Sequence, residues 1–361
     1  MTTRRISKSP LINGYFLCRR LTGIERYAYE ITKRLDTLIQ PGEISIIVPV
    51  DIVNIPDYKH ITIIRYGKKI QHIFWQMFTL QFFLLTKRKF FIIDFGNTCL
   101  PLAPGIVFLH DIYCEFFPED FLGIRDKLAR IYNRYQYRLI ARKAKRIATV
   151  SFFSKKQITD TYHINPDRIT VIYNSGNHFL TVIPDYTVFN DFPALNEPFF
   201  FSLGSISKRK NIKWIVNYAI QHPLDIFALS GDVLPTASGS LSDSVPKNII
   251  LLGYLNDSKV KALMEKCKAF ILPSYYEGFG LTPLEALSCG AQIIVAKAAS
   301  LPEIYGNTAH YIDPFNSDID LDALLKEPVE NPDKVLEKYS YDDSAKKVYE
   351  LIEGSTEKCH S

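Results

Sequence analysis

Long apolar runs, closely spaced cysteines and low-complexity tracts are all missing from these 361 residues. Because no window reaches about 18 uninterrupted apolar residues, the sequence predicts no transmembrane helix. The six cysteines show no Cys-x-x-Cys spacing, which argues against a zinc site or a disulfide framework and indicates reduced, mostly buried thiols of a cytosolic protein. What is present, 47% apolar and 13% aromatic residues, predicts a globular chain of about two domains.

Acidic residues are scarce in the first half of the chain. Residues 1–185 carry 27 Lys and Arg against 15 Asp and Glu, which leaves 16 basic and 23 acidic residues for the remainder. This asymmetry predicts that the first half meets an anionic ligand or surface. Nucleic acid is not the expected partner, because no RNA- or DNA-binding module accompanies the charge.

The basic surplus is densest in residues 121–150, where nine Lys and Arg accompany a single acidic residue, Asp126. Residues four apart share one side of a helix, so the sequence predicts a basic face. Its members are Arg130, Arg134, Arg138 and Arg142. Such a face suits an anionic phospholipid surface or a lipid-diphosphate acceptor. A solvated helix flank would show the same pattern, so both interpretations stand.

Residues 70–85 form an apolar segment that four strongly polar residues interrupt and that basic residues flank on both sides. The pattern predicts an amphipathic helix, which either belongs to the fold alone or also touches a membrane surface. The segment is too short and too interrupted to be expected to cross a bilayer.

Short β-branched runs alternate with amphipathic stretches along the chain, which is typical of parallel α/β sheets. A polar, proline-containing stretch at 177–198 breaks the alternation and is the candidate linker. We therefore predict two doubly wound, Rossmann-like domains, 1–185 and 186–339, facing each other across a cleft. A last helix at about 340–361 is expected to pack back onto the first domain. Ligands of such sheets bind beyond the carboxyl ends of the strands.

The segment PSYYEGFGLTPLEALSCG (273–290) carries the most chemical information. It predicts a strand end, a loop with Gly278 and Gly280, and a helix start. Glycine lets the backbone approach a ligand, and free amides at a helix start favour phosphate. Glu277 and Glu285 bracket this anion site, and carboxylates accept hydrogen bonds from sugar hydroxyls. The residues therefore indicate a nucleotide-sugar, a diphosphate between two polyols.

A purely structural interpretation of part of this segment is also open. Thr282 as a cap, Pro283 in the first helical position and Glu285 three residues after the cap would form a capping box. Glu285 would then only stabilise a helix start at Pro283. Glu277 has no comparable structural explanation.

EGFGLTPLEALSCG is similar to the E-x7-E signature of retaining glycosyltransferases of family 4, which have the GT-B fold. Segments that resemble the same family, in the family's order, extend over nearly the whole chain. They are TGIERYAYEITKRL (22–35), VFLHDIY (107–113), ATVSFFSKKQI (148–158), LGSISKRKNI (203–212), LPEIYGNTAHYIDP (301–314) and SYDDSAKKVYELI (340–352).

The resemblance implies a donor diphosphate site in the second domain. Lys210 matches the loop lysine that neutralises the diphosphate, and Arg209 lies beside it. Many relatives place Arg directly after the loop glycine, where this chain has Ser205. Glu285 matches the carboxylate that accepts from the ribose hydroxyls, and Glu277 matches the one that holds the transferred sugar.

The remaining implied site residues come from both domains. His110 matches the histidine that reaches the donor sugar, so His110, Glu277 and Lys210 are the expected catalytic residues. Gly23 matches the loop glycine that admits the β-phosphate. The other expected donor-binding positions are Gly278, Phe279, Gly280, Leu281 and Thr282.

The resemblance implies a retaining, metal-independent hexosyltransferase that uses GDP-mannose or, failing that, a UDP-sugar. Its expected acceptor is a lipid-linked oligosaccharide of O-antigen or capsule synthesis, and its expected place is cytoplasmic, at the inner face of the plasma membrane. No cofactor is expected; Asp318 and Asp320 have the D-x-D spacing of a manganese site but lie well past the E-x7-E segment. The alternatives are a transferase with a soluble acceptor, like sucrose or glycogen synthases, and a non-catalytic sugar-nucleotide-binding scaffold.

Overall fold

A computed structural model describes residues 8–204, 207–231 and 245–357. These residues form two compact units. Unit 1 contains the described residues up to Pro118, then Ile124–Asn174, and the last helix from Tyr341; unit 2 contains Glu119–Gly123 and Ser175–Ser340. Apart from Glu119–Gly123, unit 2 thus begins at Ser175, whereas the sequence pattern placed the boundary after residue 185.

Unit 1 is built on a seven-stranded parallel sheet in the order β3-β2-β1-β4-β5-β6-β7. The strand order reverses between β1 and β4, which makes their carboxyl ends the switch point of this sheet. The strands are β1 (Ser9–Asn13), β2 (Ser45–Val48), β3 (Thr62–Arg65), β4 (Phe90–Asp94), β5 (Ile106–Phe108), β6 (Arg146–Thr149) and β7 (Ile169–Val171).

Unit 2 has a six-stranded parallel sheet in the order β10-β9-β8-β11-β12-β13. Its switch point lies between β8 and β11. The strands are β8 (Phe199–Leu203), β9 (Ile226–Ser230), β10 (Ile249–Gly253), β11 (Ala269–Leu272), β12 (Ile293–Ala296) and β13 (His310–Ile312). The predicted pair of doubly wound parallel sheets is confirmed.

Helices connect the strands in both units. A π-helical turn, Trp75–Leu80, joins the second and third of them into one continuous helical run. The helices are α1 (Gly23–Leu38), α2 (His72–Phe74), α3 (Gln81–Thr86), α4 (Tyr113–Phe116), α5 (Ile124–Lys143), α6 (Phe152–Tyr162), α7 (Val188–Asp191), α8 (Ile212–Gln221), α9 (Asp257–Lys266), α10 (Leu281–Ser288), α11 (Leu301–Tyr305), α12 (Leu321–Leu324), α13 (Asp333–Lys338) and α14 (Tyr341–Glu357).

The last helix completes the hydrophobic core of unit 1. Tyr341, Ala345 and Val348 on α14 are fully buried and join one cluster with Ile31 and Leu35 on α1. A helix that buries one apolar stripe in this way takes most of its stability from packing rather than from its own propensity. α14 is therefore part of unit 1, although about 170 residues of chain separate it from β7.

Candidate functional site

The segment after β11 forms the centre of the candidate site in unit 2. α10 begins at Leu281, with Gly280 as its N-cap at φ +81°, in the left-handed region that favours glycine. The predicted helix start at Pro283 is therefore wrong, and so is the capping box. Thr282 lies inside the first turn, and its buried hydroxyl bonds to no described residue. Because the capping box is absent, it no longer explains why a glutamate stands at position 285.

Glu277 is a buried carboxylate held by two cations. Its side chain is 7% exposed; Oε1 lies 2.8 Å from Lys210 Nζ and Oε2 lies 2.9 Å from Arg209 Nη1. Burial alone would raise the pKa of Glu277, but the charges of Lys210 and Arg209 outweigh it and lower the pKa from 4.5 to about 2. Glu277 is thus ionised at neutral pH and can act only as an acceptor.

Lys210 and Arg209 reach Glu277 from a single turn, Lys208–Lys210, that follows β8. The left-handed residue Asn211 (φ 57°) ends this turn and donates through Nδ2 to the carbonyl of Pro273, at the end of β11. The two cations and Glu277 thus stand at the carboxyl ends of β8 and β11, the switch point where doubly wound sheets bind ligands.

The side chain of Lys210 lies against Gly204, which directly follows β8. Gly204 has φ +148°, and a Cβ on it would lie 3.3 Å from Lys210 Cε. A larger residue would therefore crowd the aliphatic part of the lysine. Ser205, the next residue and an expected phosphate contact, lies outside the described residues.

Two residues that the sequence did not single out fix the backbone of this loop. Ser300 donates through Oγ to the carbonyl of Glu277 at 2.9 Å, and the Tyr305 hydroxyl donates to the carbonyl of Gly280. Phe279 is buried with its ring edge-on to Tyr339, 5.4 Å between centroids. The resemblance of residues 301–314 to the family was the available signal for Tyr305; Ser300 precedes that segment.

Glu285 is buried on α10 and faces a histidine. Its Oε1 lies 3.4 Å from His178 Nε2. His178 belongs to the stretch predicted as a linker, but the backbone there packs tightly on α10, since a Cβ on Gly176 would lie 2.6 Å from the carbonyl oxygen of Leu284. The supposed linker therefore supplies a neighbour for Glu285, which no local sequence pattern could reveal.

His110 lies in unit 1, just after β5. Its Nε2 donates to the carbonyl of Phe95 at 2.9 Å, its backbone amide donates to Asn97 Oδ1 at 2.8 Å, and its ring stands edge-on to Tyr27. Burial lowers the pKa of His110, so the ring is neutral at pH 7 with its proton on Nε2. Nδ1 is then the acceptor nitrogen.

Gly23 opens α1, also in unit 1, and has open space around it. A Cβ on Gly23 would meet nothing within 4 Å. Two residues on, the buried carboxylate of Glu25 pairs with Arg19 at 2.7 Å. Neither packing nor backbone conformation within unit 1 therefore requires glycine at position 23.

A small cavity at the carboxyl ends of β1 and β4 was not anticipated from the sequence. Arg19, Glu25, His72 and Asp94 contribute its polar lining. Asp94 accepts from Asn13 Nδ2 at 2.7 Å, among other donors, while burial raises its pKa. The switch point of unit 1 therefore also carries polar groups where a ligand of a parallel sheet would be expected.

The predicted basic face of α5 is only partly exposed. Arg130 donates through Nε to the carbonyl of Cys114 at 2.8 Å, and Arg134 Nε lies 2.7 Å from Glu115 Oε2. Both arginines are half-buried, whereas Arg138 and Arg142 are exposed. α4 thus engages the first two arginines of the face, and the role of the face towards an anionic surface stays a prediction.

The described part of the chain contains neither a cluster of metal ligands nor a membrane-spanning helix. Within it, no group of three or more His, Cys, Asp or Glu residues is placed to hold a metal ion. No described helix is both long and apolar enough to cross a membrane. Five cysteines lie in this part and are free thiols; Cys359 lies outside it.

Two family models match adjoining stretches of the chain. Residues 21–175 match the model described as Glycosyltransferase Family 4, and residues 189–348 match the one described as Glycosyl transferases group 1. The chain belongs to glycosyltransferase family 4. The Glu277 cluster of this glycosyltransferase lies within the second match, and His110 lies within the first.

Curated relatives of this glycosyltransferase carry mannosyltransferase names. It is 27% identical to O-antigen chain mannosyltransferase B of Escherichia coli over 338 residues, 83% of this chain and 84% of the relative. It is 26% identical to O-antigen chain mannosyltransferase RfbU of Salmonella typhimurium strain LT2 over 239 residues, 62% of this chain. That match spans 63% of RfbU, less than two thirds of its length.

Among solved structures, the glycosyltransferase resembles Anabaena HepE in complex with UDP-glucose. The TM-score is 0.70 and the identity 17%, over 96% of this chain and 99% of the other. At this identity the likeness concerns the fold alone, and the predicted fold class, GT-B with two Rossmann-like domains, is confirmed.

Proposed function

We propose that this protein transfers a mannosyl residue, with retention of configuration, from GDP-mannose to a lipid-linked glycan in O-antigen synthesis. The observation that carries the proposal is the cluster of Glu277, Lys210 and Arg209 at the switch point of unit 2. Two cations beside a buried acceptor carboxylate match the two needs of a nucleotide-sugar: charge for the diphosphate and an acceptor for sugar hydroxyls.

In the proposed reaction the two cations act on the leaving group. The bond from the sugar C1 to the phosphate oxygen breaks while the acceptor oxygen bonds to C1 on the same face. The acceptor proton passes to the leaving phosphate oxygen, so no carboxylate nucleophile is required. Lys210 and Arg209 stabilise the charge that grows on the diphosphate, and Glu277 accepts hydrogen bonds from sugar hydroxyls.

The donor is proposed from the relatives. Both curated relatives described above are called mannosyltransferases, which supports GDP-mannose, while HepE was solved in complex with UDP-glucose, which makes a UDP-sugar the second candidate. Thermal shift with a panel of nucleotide-sugars tests the choice, since a donor at 100 times its Kd adds about 2.7 kcal/mol of stability. Stabilisation by a UDP-sugar but not by GDP-mannose would overturn the mannosyl donor.

The acceptor is proposed to approach the switch point of unit 1, where Arg19, Glu25, His72 and Asp94 line a small polar cavity. The names of the relatives mention O-antigen chains, which supports a lipid-linked glycan and a peripheral place at the inner face of the plasma membrane. Radiolabel transfer to extracted lipid-linked glycans tests this, with free oligosaccharides as comparison. Equal transfer to both would favour the soluble-acceptor alternative, and donor binding without any transfer would favour a scaffold.

Metal independence is part of the same proposal. Lys210 and Arg209 already supply two positive charges where a divalent cation would otherwise offset the diphosphate. We expect transfer to be unchanged by EDTA. A loss of activity that Mn²⁺ restores would contradict this and return attention to Asp318 and Asp320.

A further inference from the structure

The helical run from His72 to Thr86 in unit 1 has two apolar sides rather than one. Trp75, Leu80, Phe83 and Leu84 point inward and belong to a buried cluster with Leu11 on β1. This side gives the run its place in the fold. The sequence alone could not separate this side from the other, because apolar residues occur all round the segment.

The outward side carries a row of phenylalanines. Phe74, Phe78 and Phe82 are 51%, 66% and 60% exposed, and their spacing of four places them along one side of the run. The rings of Phe74 and Phe78 are stacked, with centroids 6.2 Å apart. Ile70 and Leu85 extend the exposed apolar surface at either end. A contiguous surface of this kind marks an interaction site far more often than a scattered exposed residue does.

The charges around this row define the partner. Residues 68–89 contain no Asp or Glu. Basic residues stand at both ends of the run, and all of them are exposed: Lys68, Lys69, Lys87, Arg88 and Lys89. An aromatic row with cations at both ends complements an anionic lipid surface, where the rings enter the acyl boundary and the cations meet lipid phosphates.

The helix α5 of the same unit supports this partner. Its exposed residues include an apolar row at helical spacing, Ile124, Leu128, Ile131 and Tyr135. Basic residues border the row, Arg125 and Lys127 among them, both exposed. Unit 1 therefore presents two exposed amphipathic helices in which apolar and basic residues occur together.

We propose that unit 1 binds anionic bilayers by laying residues 72–86 in the membrane interface, with Phe74, Phe78 and Phe82 inserted. The inference deepens the peripheral location proposed above, but it depends on lipid binding alone and not on the reaction. Salt distinguishes insertion from purely electrostatic binding. It screens the attraction between basic side chains and lipid phosphates, but it does not release aromatic rings that are buried in the acyl region.

The test measures sedimentation of the full chain with vesicles of phosphatidylcholine alone or with one third phosphatidylglycerol. For the wild type we expect binding to the anionic vesicles that falls as salt rises from about 0.1 to about 1 M but leaves a measurable remainder. Changing Phe74, Phe78 and Phe82 together to Ser should remove that remainder and lower the low-salt partition coefficient by about tenfold or more. The matched control is Leu224→Ser, an exposed apolar residue of unit 2.

A second measurement reports insertion directly. Phe78→Trp places an indole in the row, and brominated lipids should quench its emission; Trp75 and Trp214 are buried and serve as internal reference in the parent protein. Wild-type binding by the triple Ser variant, or no added quenching in the Trp variant, would overturn the proposal. A change of oligomeric state in the triple variant without loss of vesicle binding would identify a self-association surface instead. Donor stabilisation in the thermal-shift panel reports the proposed function independently.

Discussion

The two units share one architecture but differ in where their charged side chains lie. Unit 2 has its densest charge cluster largely buried: Glu277 lies between Lys210 and Arg209 at the switch point of the sheet. Unit 1 leaves much of its basic surplus on exposed helix flanks, beside exposed rings such as Phe78. The same kind of sheet thus carries a buried charge cluster in one unit and exposed basic and aromatic helix faces in the other. Loops and helix faces, rather than the fold, carry the difference.

The strongest test of this contrast removes the charge of Glu277 without its shape. In Glu277→Gln we expect kcat/KM for transfer to fall by about 10²–10³, because the sugar loses its ionised acceptor. Binding of GDP alone should become tighter, because Lys210 and Arg209 no longer have Glu277 as a competing partner. Steady-state kinetics and calorimetry measure the two effects.

In Lys210→Ala, by contrast, we expect both kcat/KM for transfer and the affinity for GDP to fall. The control is Lys213→Ala, an exposed lysine on α8. Weaker GDP binding in Glu277→Gln, or near wild-type transfer in Lys210→Ala, would mean that the cluster is only structural.

The same buried cluster predicts how stability depends on pH. The pKa of Glu277 is about 2 in the folded protein, below its ordinary 4.5. The resulting stabilisation, on the order of 3 kcal/mol, is fully present above about pH 4.5 and is lost as pH falls towards 2. Urea unfolding between pH 7 and pH 3 should therefore show a smaller loss of stability in Glu277→Gln than in the wild type. Parallel curves for the two proteins would contradict the assignment.

Gly280 and Gly290, at the two ends of α10, allow the energetic cost of a left-handed backbone to be distinguished from the cost of a steric clash. Gly280 has φ +81°, and its Cβ would lie 2.4 Å from the fully buried Leu301; Gly290 has φ +84°, and its Cβ would meet nothing within 4 Å. We expect Gly280→Ala to lower the free energy of unfolding by roughly 2–4 kcal/mol and Gly290→Ala by about 1 kcal/mol. Equal losses in chemical denaturation would show that the loop does not constrain Gly280 by packing.

The smallest effect concerns the arginines of α5 in unit 1. Arg134→Gln removes a partner of Glu115 and should cost about 1 kcal/mol of stability in urea unfolding. Arg138 is exposed, so Arg138→Gln should stay within about 0.5 kcal/mol of the wild type while weakening binding to anionic vesicles about fivefold. Weaker vesicle binding with little loss of stability in both variants would instead support a uniform basic face on α5.

Most strands could be predicted from the sequence because buried parallel strands are continuous apolar stretches. Short apolar runs in the sequence coincide with eleven of the strands described above, whereas β1 and β13 lack such a run. β1 (SPLIN) contains Pro10 and ends in Asn13, and β13 (HYI) is three residues long and begins with His310. Short strands with polar ends lack the apolar run on which the prediction depends.

The sequence predicted which residues belong to the candidate site but not which of them are in contact with one another. The resemblance to family 4 singled out Glu277, Lys210 and Arg209, yet their mutual contact joins loops 67 and 68 residues apart in sequence, and only the adjacency of β8 and β11 brings them together. The contact of His178 with Glu285 depends likewise on a tertiary packing that no local pattern encodes.

The return of α14 to unit 1 has a consequence for synthesis on the ribosome. Chains grow at about 5–20 residues per second, so about 10–30 s separate the emergence of β7 from that of α14. Until then the apolar side of α1, with Ile31 and Leu35, lacks its cover of Ala345 and Val348. Unit 1 is therefore synthesised first, but its hydrophobic core is completed last. A nascent chain that stops before Tyr341 leaves this apolar surface uncovered and open to aggregation, however complete the second unit is.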